Sequence, residues 1–213
     1  MMYEAVLSYL RQNSNDFAML ILQHLMISGL SVGFAILIGF PIGILSSRST
    51  RIYNTLSGFF GLLRVIPSLA ILVLIIPVFG VGVVPATIAL TILAIPPIMI
   101  NTAQGLRAIP DSVVETATGM GMSEGYMFAR VKLPLAMPLI LTGIRTASVE
   151  VIASATLASY IGAGGLGNII FTGLGLYRID LLVLGGISVA ALSLLMDLLF
   201  LLIENSVTRY QRN

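Results

Sequence analysis

ETATGMGMSEGYMFARVKLP, residues 115 to 134, is the longest charge-bearing island in a very hydrophobic chain. Glu115, Thr116 and Ala117 open it, Gly121 follows after three more residues, and Val131, Lys132, Leu133 and Pro134 close it. Just ahead, Pro110 and Asp111 sit where entry to a helix is favoured. Ser112 and Glu115 have the Ser-x-x-Glu spacing of a capping box. Gly119 and Gly121 permit the break that ends a short helix. Ser123-Glu124 can begin a second one, and Pro134 suits the first turn of the apolar span beyond. These residues predict two short helices set at an angle, a rigid knob between two membrane spans. A knob of this kind is a surface for a partner to read.

Outward from that stretch the composition decides the class. The chain is 57% hydrophobic and 9% charged, with a mean hydropathy of +1.03; soluble domains carry about a quarter charged residues. A soluble chain of 213 residues could not keep that much apolar surface dry. The class is therefore all-α and polytopic in the membrane. Cysteine is absent and histidine occurs once, which excludes a disulfide framework, thiolate metal sites and most histidine metal sites. MMYEAVLSYLRQNSND at the start carries Glu4 and no compact apolar core with a cleavage site, so it is not a signal peptide.

Residues 1–16, with Glu4, Arg11 and Asp16, predict an N-terminal interfacial helix. About five spans follow in the transmembrane domain, residues 17–213: Phe17 to Leu45, Leu56 to Val78, Val84 to Gly105, Pro134 to Ile161 and Leu181 to Ile203. In the first, Gly29, Gly33, Gly39 and Gly43 suit close helix packing, and His24 predicts a helix-interface hydrogen bond. Arg64 in the second is expected to snorkel to the near interface, with a buried ion pair as the alternative. Pro96-Pro97 in the third predicts a kink or break. Residues 162–180 are too rich in glycine for a simple span and predict an ordered segment with a short helix near Asn168 to Thr172. Gly162-x-Gly164-Gly165-x-Gly167 lies in no βαβ unit, so it is not a nucleotide loop.

Five spans put the termini on opposite sides. Arg48, Arg51, Arg107, Arg130, Lys132, Arg209 and Arg212 then share one side, against Arg11 and Arg178 on the other. The positive-inside rule places the N-terminus outside, the C-terminus inside, and the loop 106–133 in the cytoplasm. Tyr160 and Tyr177 fall at the outer interface, Tyr53 and Tyr210 at the inner one.

Glu115-x-Ala117, three residues, Gly121, nine residues, Val131-x-Leu133-Pro134 resembles the EAA loop of binding-protein-dependent ABC importer permeases. Thr116 stands where the strictest form has alanine, and Val131 where it has isoleucine. Arg64-Val-Ile-Pro67-Ser68-Leu69-Ala70 and the run from Ala155 to Gly167 resemble the osmoprotectant branch, as do Pro77-x-x-Gly80-x-Gly82-x-x-Pro85, Pro96-Pro97-Ile98 and Gly143-Ile144-Arg145-Thr146. The resemblance implies a type I ABC importer permease fold, similar to the methionine permease, in the plasma membrane. It implies that Glu115, Thr116, Ala117, Gly121, Val131, Leu133 and Pro134 couple to a cytoplasmic ATPase subunit, present in two copies and using ATP and Mg. A second permease subunit, the same or homologous, and a separate extracytoplasmic binding protein are implied as well. The substrates implied are quaternary amines such as glycine betaine, carnitine or choline. The alternative within this architecture is an amino acid such as methionine.

No phosphate loop and no catalytic dyad occur in the chain, so it is a transporter subunit and not an enzyme, with no cofactor, metal or nucleic acid of its own. Arg145 and Glu150 are charges inside the fourth span, where charge is costly and either paired or functional. Five residues is an imperfect helical spacing for a direct pair. Ser148, Ser154, Thr156 and Ser159, with Tyr160, give this span a polar content that suits either a substrate path or helix–helix hydrogen bonding. Asp197 in the fifth span is a further acid without an assigned partner. A quaternary ammonium suits aromatic faces, and the chain has no tryptophan, which assigns tight recognition to the binding protein. The competing classes are an ion-coupled secondary transporter, which broken helices and lone acids would fit, and a membrane scaffold.

Overall fold

Apolar runs of this length can satisfy their backbone in hydrocarbon only as helices. The computed structural model describes residues 2–207, and no strand occurs among them. The expectations for Arg209, Tyr210 and Arg212 lie outside the described residues. The helices are α1 (Met2–Gln12), α2 (Ser14–Ser47), α3 (Thr50–Leu63), α4 (Ser68–Phe79), α5 (Val83–Arg107), α6 (Asp111–Gly119), α7 (Glu124–Met127), α8 (Leu133–Ala158), α9 (Gly167–Gly175) and α10 (Ile179–Val207).

Helix α5 is the centre of the bundle, held between α2 and α8. Glycines set the spacing. A Cβ on Gly43 would stand 2.6 Å from Thr102, and one on Gly143 would stand 2.8 Å from the Pro97 carbonyl. Gly39 packs on Ile95 and Ile98, while Gly29 and Gly33 face open space, so only half of the expected glycine contacts in α2 form. Leu90, Ala94 and Ile98 from α5 build the core with Ala35 of α2 and Val151 and Ala155 of α8.

Two expectations are corrected here. Of the kink or break expected at Pro96-Pro97, the break does not occur: α5 runs on through both prolines. Both rings are buried between α2 and α8, and Asn101 donates its side-chain amide to the Pro97 carbonyl at 2.8 Å. The second span is not straight. Helices α3 and α4 meet at 89° around Arg64 to Pro67. Pro67 has no N–H to continue the ladder and disfavours helical backbone at Ile66. The chain leaves α3 through three tight turns, Arg64 to Gly61, Val65 to Leu62 and Ile66 to Leu63.

The bent pair still crosses the bundle. Ser31 lies beside Thr87 and Thr91, and Gly43 lies beside Met99 and Thr102, so α2 and α5 run parallel. A connection between parallel spans has to return to the starting end. At one end Arg107 donates to Thr50 and Gln104 to Tyr53, each at 3.1 Å; at the other the Gly82 amide donates to the Ile161 carbonyl at 2.8 Å. Four helices are long and apolar enough to cross a bilayer, and the bent pair makes a fifth crossing.

Helix α1 sets Val6, Tyr9 and Leu10 on one face. They pack, together with Phe17, Leu20 and Ile21, onto Leu166, Ile169, Leu181 and Leu184. Beyond Gly185 no residue of α10 is fully buried, and Leu194, Leu195, Leu198 and Leu202 face outward, as hydrocarbon requires. Helix α9 contains the short helix expected near Asn168 to Thr172. Gly164, Gly165 and Gly167 at its start are close-packing positions, and a Cβ on Gly167 would sit 2.1 Å from the Thr156 carbonyl, whereas Gly162 has open space around it and a φ of +79°.

Candidate functional site

The polar island becomes a knob at the end of the bundle that also carries Arg48, Thr50 and Arg107. Helix α6 ends in a defined motif. The Gly121 amide donates to the Thr118 carbonyl at 2.9 Å and the Met122 amide to the Ala117 carbonyl at 3.2 Å. Gly121 has φ +77°. These are the two bonds of a Schellman end, with Gly121 at C′ and Ala117 four residues earlier at C3. Ala117 is buried while Glu115 and Thr116 are exposed.

The expected capping box does not form. Helix α6 already begins at Asp111, after Pro110, so Ser112 is inside the first turn and no side chain caps the helix. Thr116 donates instead to the Ser112 carbonyl at 2.7 Å. Helix α7 begins after Ser123 as expected, but it is not a separate block. It passes through a π turn at Phe128–Lys132 straight into α8, whose first residues are Leu133 and Pro134. The inserted residue of a π turn shifts the phase of the helix.

Thr116, Ala117 and Val131 come together around one apolar hollow of about 290 Å³, with Ser112, Val113 and Met120. Behind the knob a cavity of about 900 Å³ reaches the ends of α2 and α5, and Arg48, Glu124 and Lys132 line it. Every coupling candidate thus lies on α6, its Schellman end, or the π turn and first residues of α8.

The path candidates do not form one cluster. Five residues turn a helix by about 140°, and Arg145 and Glu150 point to different neighbours. Arg145 donates to both carboxylate oxygens of Asp197 on α10, at 2.6 and 2.8 Å, with Glu204 at 3.9 Å. Glu150 accepts from Arg64 at 3.0 Å, across to the break between α3 and α4. Arg64 therefore does not snorkel free: it is ion-paired. Ser148 donates to the Ile144 carbonyl one turn back. Ser159 donates to the Gly164 carbonyl at 2.6 Å and shapes the glycine loop. Thr156 is half-buried, and its hydroxyl is buried and unpartnered among the described residues. Ser154 is half-buried, and Tyr160 is exposed with its ring 5.7 Å from Phe171.

His24 makes the interface bonds expected of it. Its Nε2 lies 2.9 Å from the Ile152 carbonyl, and the Leu166 amide lies 3.3 Å from Nδ1. Nδ1 can accept only if it carries no proton, so the ring is neutral with its hydrogen on Nε2. Gln23 was not legible as a partner; its side-chain oxygen accepts the Gly165 amide at 3.2 Å. The only signal for it is the glycine pair that a side chain would crowd.

Five crossings, a bent second span and a helical knob between the third and fourth define the permease subunit of an importer. The chain belongs to the family described as binding-protein-dependent transport system inner membrane component, whose model matches residues 18–209. It is thus a multi-pass membrane permease subunit of an ABC importer. It is 44% identical over 194 residues to the carnitine transport permease protein OpuCB of Listeria monocytogenes, covering 91% of this chain and 89% of that one. It is 36% identical to the choline transport system permease protein OpuBB of Bacillus subtilis, covering 95% and 94%. Among solved structures, an inward-facing MetNI methionine ABC transporter matches with a TM-score of 0.81 at 24% identity, covering 90% of this chain and 96% of that one, a likeness of fold.

Proposed function

We propose that this chain carries quaternary-amine osmoprotectants such as glycine betaine, carnitine or choline across the plasma membrane by alternating access. ATP, with Mg, is hydrolysed on a separate cytoplasmic ATPase bound in two copies. A second permease subunit and a separate extracytoplasmic binding protein complete the transporter. The substrate class rests on the carnitine and choline permeases to which the chain is similar over nearly its whole length. The observation that carries the coupling role is the knob, with Thr116, Ala117 and Val131 around one apolar hollow. Gly121 shapes the helix end, while Leu133 and Pro134 transmit displacement into α8. Force on the knob reaches the membrane directly because the π turn leaves no hinge loop between α7 and α8.

The knob faces the cytoplasm in this proposal, which puts the N-terminus outside and the C-terminus inside, with residues 1–16 as an interfacial segment and 17–213 as the transmembrane domain. Cysteines introduced at Ser47 and Thr172 of this cysteine-free chain label from opposite faces of intact cells. Labelling from one face only removes this topology. Substrate is tested by uptake of labelled glycine betaine, carnitine, choline and methionine into cells expressing the complete transporter. Methionine as the sole transported compound overturns the substrate class, and a permease that never copurifies with an ATPase overturns the coupling role.

A further inference from the structure

We propose that Arg64 and Glu150 form an exchangeable ion pair that the two ends of a zwitterionic substrate replace in transit. This rests on the transport of quaternary amines proposed above and adds the residues that meet each end of the molecule. The carboxylate of glycine betaine or carnitine takes Arg64, and its quaternary ammonium takes Glu150.

The placement comes first. From Glu150 to the end of α8 at Ala158 is about 12 Å at 1.5 Å per residue, well inside a hydrocarbon core about 30 Å thick. Charges at that depth are rare away from water-filled cavities and substrate routes. Arg64 sits at the break between α3 and α4, and broken helices are where transporters build their sites.

The geometry comes second. Among the described residues, the two intramembrane pairs are built differently. Arg145 grips Asp197 with two bonds and has Glu204 at 3.9 Å, a closed arrangement between two continuous helices. Arg64 reaches Glu150 with one bond of 3.0 Å, and the two side chains are 47% and 41% exposed. A guanidinium has five N–H donors in a fork that suits a carboxylate in two-point contact. Only one is used here among the described residues. With one bond of 3.0 Å and both side chains open on one side, the pair can be reached by an incoming charged group. Arg64 also lies on the turn ahead of Pro67, so it can swing away without displacing α8.

Charge balance then sets the preference. Opening the pair strands one cation and one anion in a medium of low dielectric. A zwitterion restores both partners. A cation that lacks a carboxylate, such as choline, restores only Glu150 and leaves Arg64 bare. Because the internal pair competes with every substrate, binding stays weak, which suits a site that must release what it admits.

The test uses the complete transporter, with ATPase and binding protein, in proteoliposomes. Initial uptake rates of glycine betaine and choline are measured at saturating binding protein, and their ratio is compared between wild type and Arg64→Gln. The expected result is a fall of about tenfold in the betaine-to-choline ratio, the loss of one charge-assisted contact, with most of it regained in Arg64→Lys. Glu150→Gln slows both compounds. If Arg64→Gln does not accumulate, Arg64→Gln with Glu150→Gln leaves no orphan charge, and the same fall in ratio is expected of it. An unchanged ratio, or an equal loss of both compounds, overturns the exchange while transport of quaternary amines stands. A wild-type transporter that moves neither compound overturns the transport proposal itself.

Discussion

Arg145 on α8 holds Asp197 on α10 through two parallel N–H···O bonds of 2.6 and 2.8 Å. The last fully buried residue of α10 is Gly185, so this pair is a polar tether for a helix half that packing secures weakly. Asp197→Ala leaves Arg145 without its main partner inside the membrane. Glu204, at 3.9 Å, can compensate in part. The expected result is a lower unfolding midpoint, because removing one partner leaves the other charge uncompensated. Arg145→Leu with Asp197→Leu removes both charges and should be nearer neutral. Thermal unfolding of the purified protein in detergent measures both, and a double variant less stable than Asp197→Ala contradicts the tether.

His24 ties α2 to α8 and to the glycine loop with both ring nitrogens while fully buried. His24→Leu fills the space but leaves the Leu166 amide and the Ile152 carbonyl without a side-chain partner, at a cost of about 2 kcal/mol. His24→Gln keeps one donor and one acceptor and should recover roughly half of that. The comparison is again the unfolding midpoint. Equal midpoints for the leucine and glutamine variants would show that only the shape of the ring matters.

The membrane class, five crossings, the knob and the histidine contact were legible because each follows from local chemistry: apolar run length, turn residues and a lone polar group in an apolar span. What failed depended on tertiary context. Pro67 was hidden inside an apolar run whose length suited a span, and its bend shows only once α3 and α4 have different neighbours. Pro96 and Pro97 look like breakers, yet α2 and α8 hold that helix from both sides. Ser112 and Glu115 have the right spacing for a cap, but the helix starts two residues too early to use it. The partners of Arg64 and Asp197 lie 86 and 52 residues away along the chain, a distance that no periodicity encodes.

Tyr177 offers a test of backbone strain. It ends α9 with φ +55°, while the Arg178 amide donates to the Gly173 carbonyl at 2.8 Å and the Tyr177 amide to the Leu174 carbonyl at 3.4 Å. This is the helix end that Gly121 makes in the knob, built here with a side chain that the left-handed conformation disfavours. The ring is 93% exposed, so little packing is lost by removing it. Tyr177→Gly should stabilise the protein by about 0.5–1 kcal/mol. A fall in the unfolding midpoint would mean that the tyrosine ring, and not the backbone, decides at this position.

Gly121 is the corresponding position in the knob, and its substitution separates folding from coupling. A Cβ there would meet nothing within 4 Å, so the cost of Gly121→Ala is the positive φ alone, about 1 kcal/mol. That cost falls on the two bonds that close α6 and leaves α2, α5 and α8 untouched. Gly121→Asn tolerates the left-handed conformation better and should be milder, whereas Gly121→Val adds branching at Cβ and should be worse. The expected order of ATPase association is wild type, asparagine, alanine, valine, at equal membrane abundance and equal unfolding midpoint of the spans. Uptake should fall in the same order. If valine at this position binds the ATPase and transports as wild type does, the Schellman end is dispensable, and the spacing of Ala117 and Gly121 has another cause.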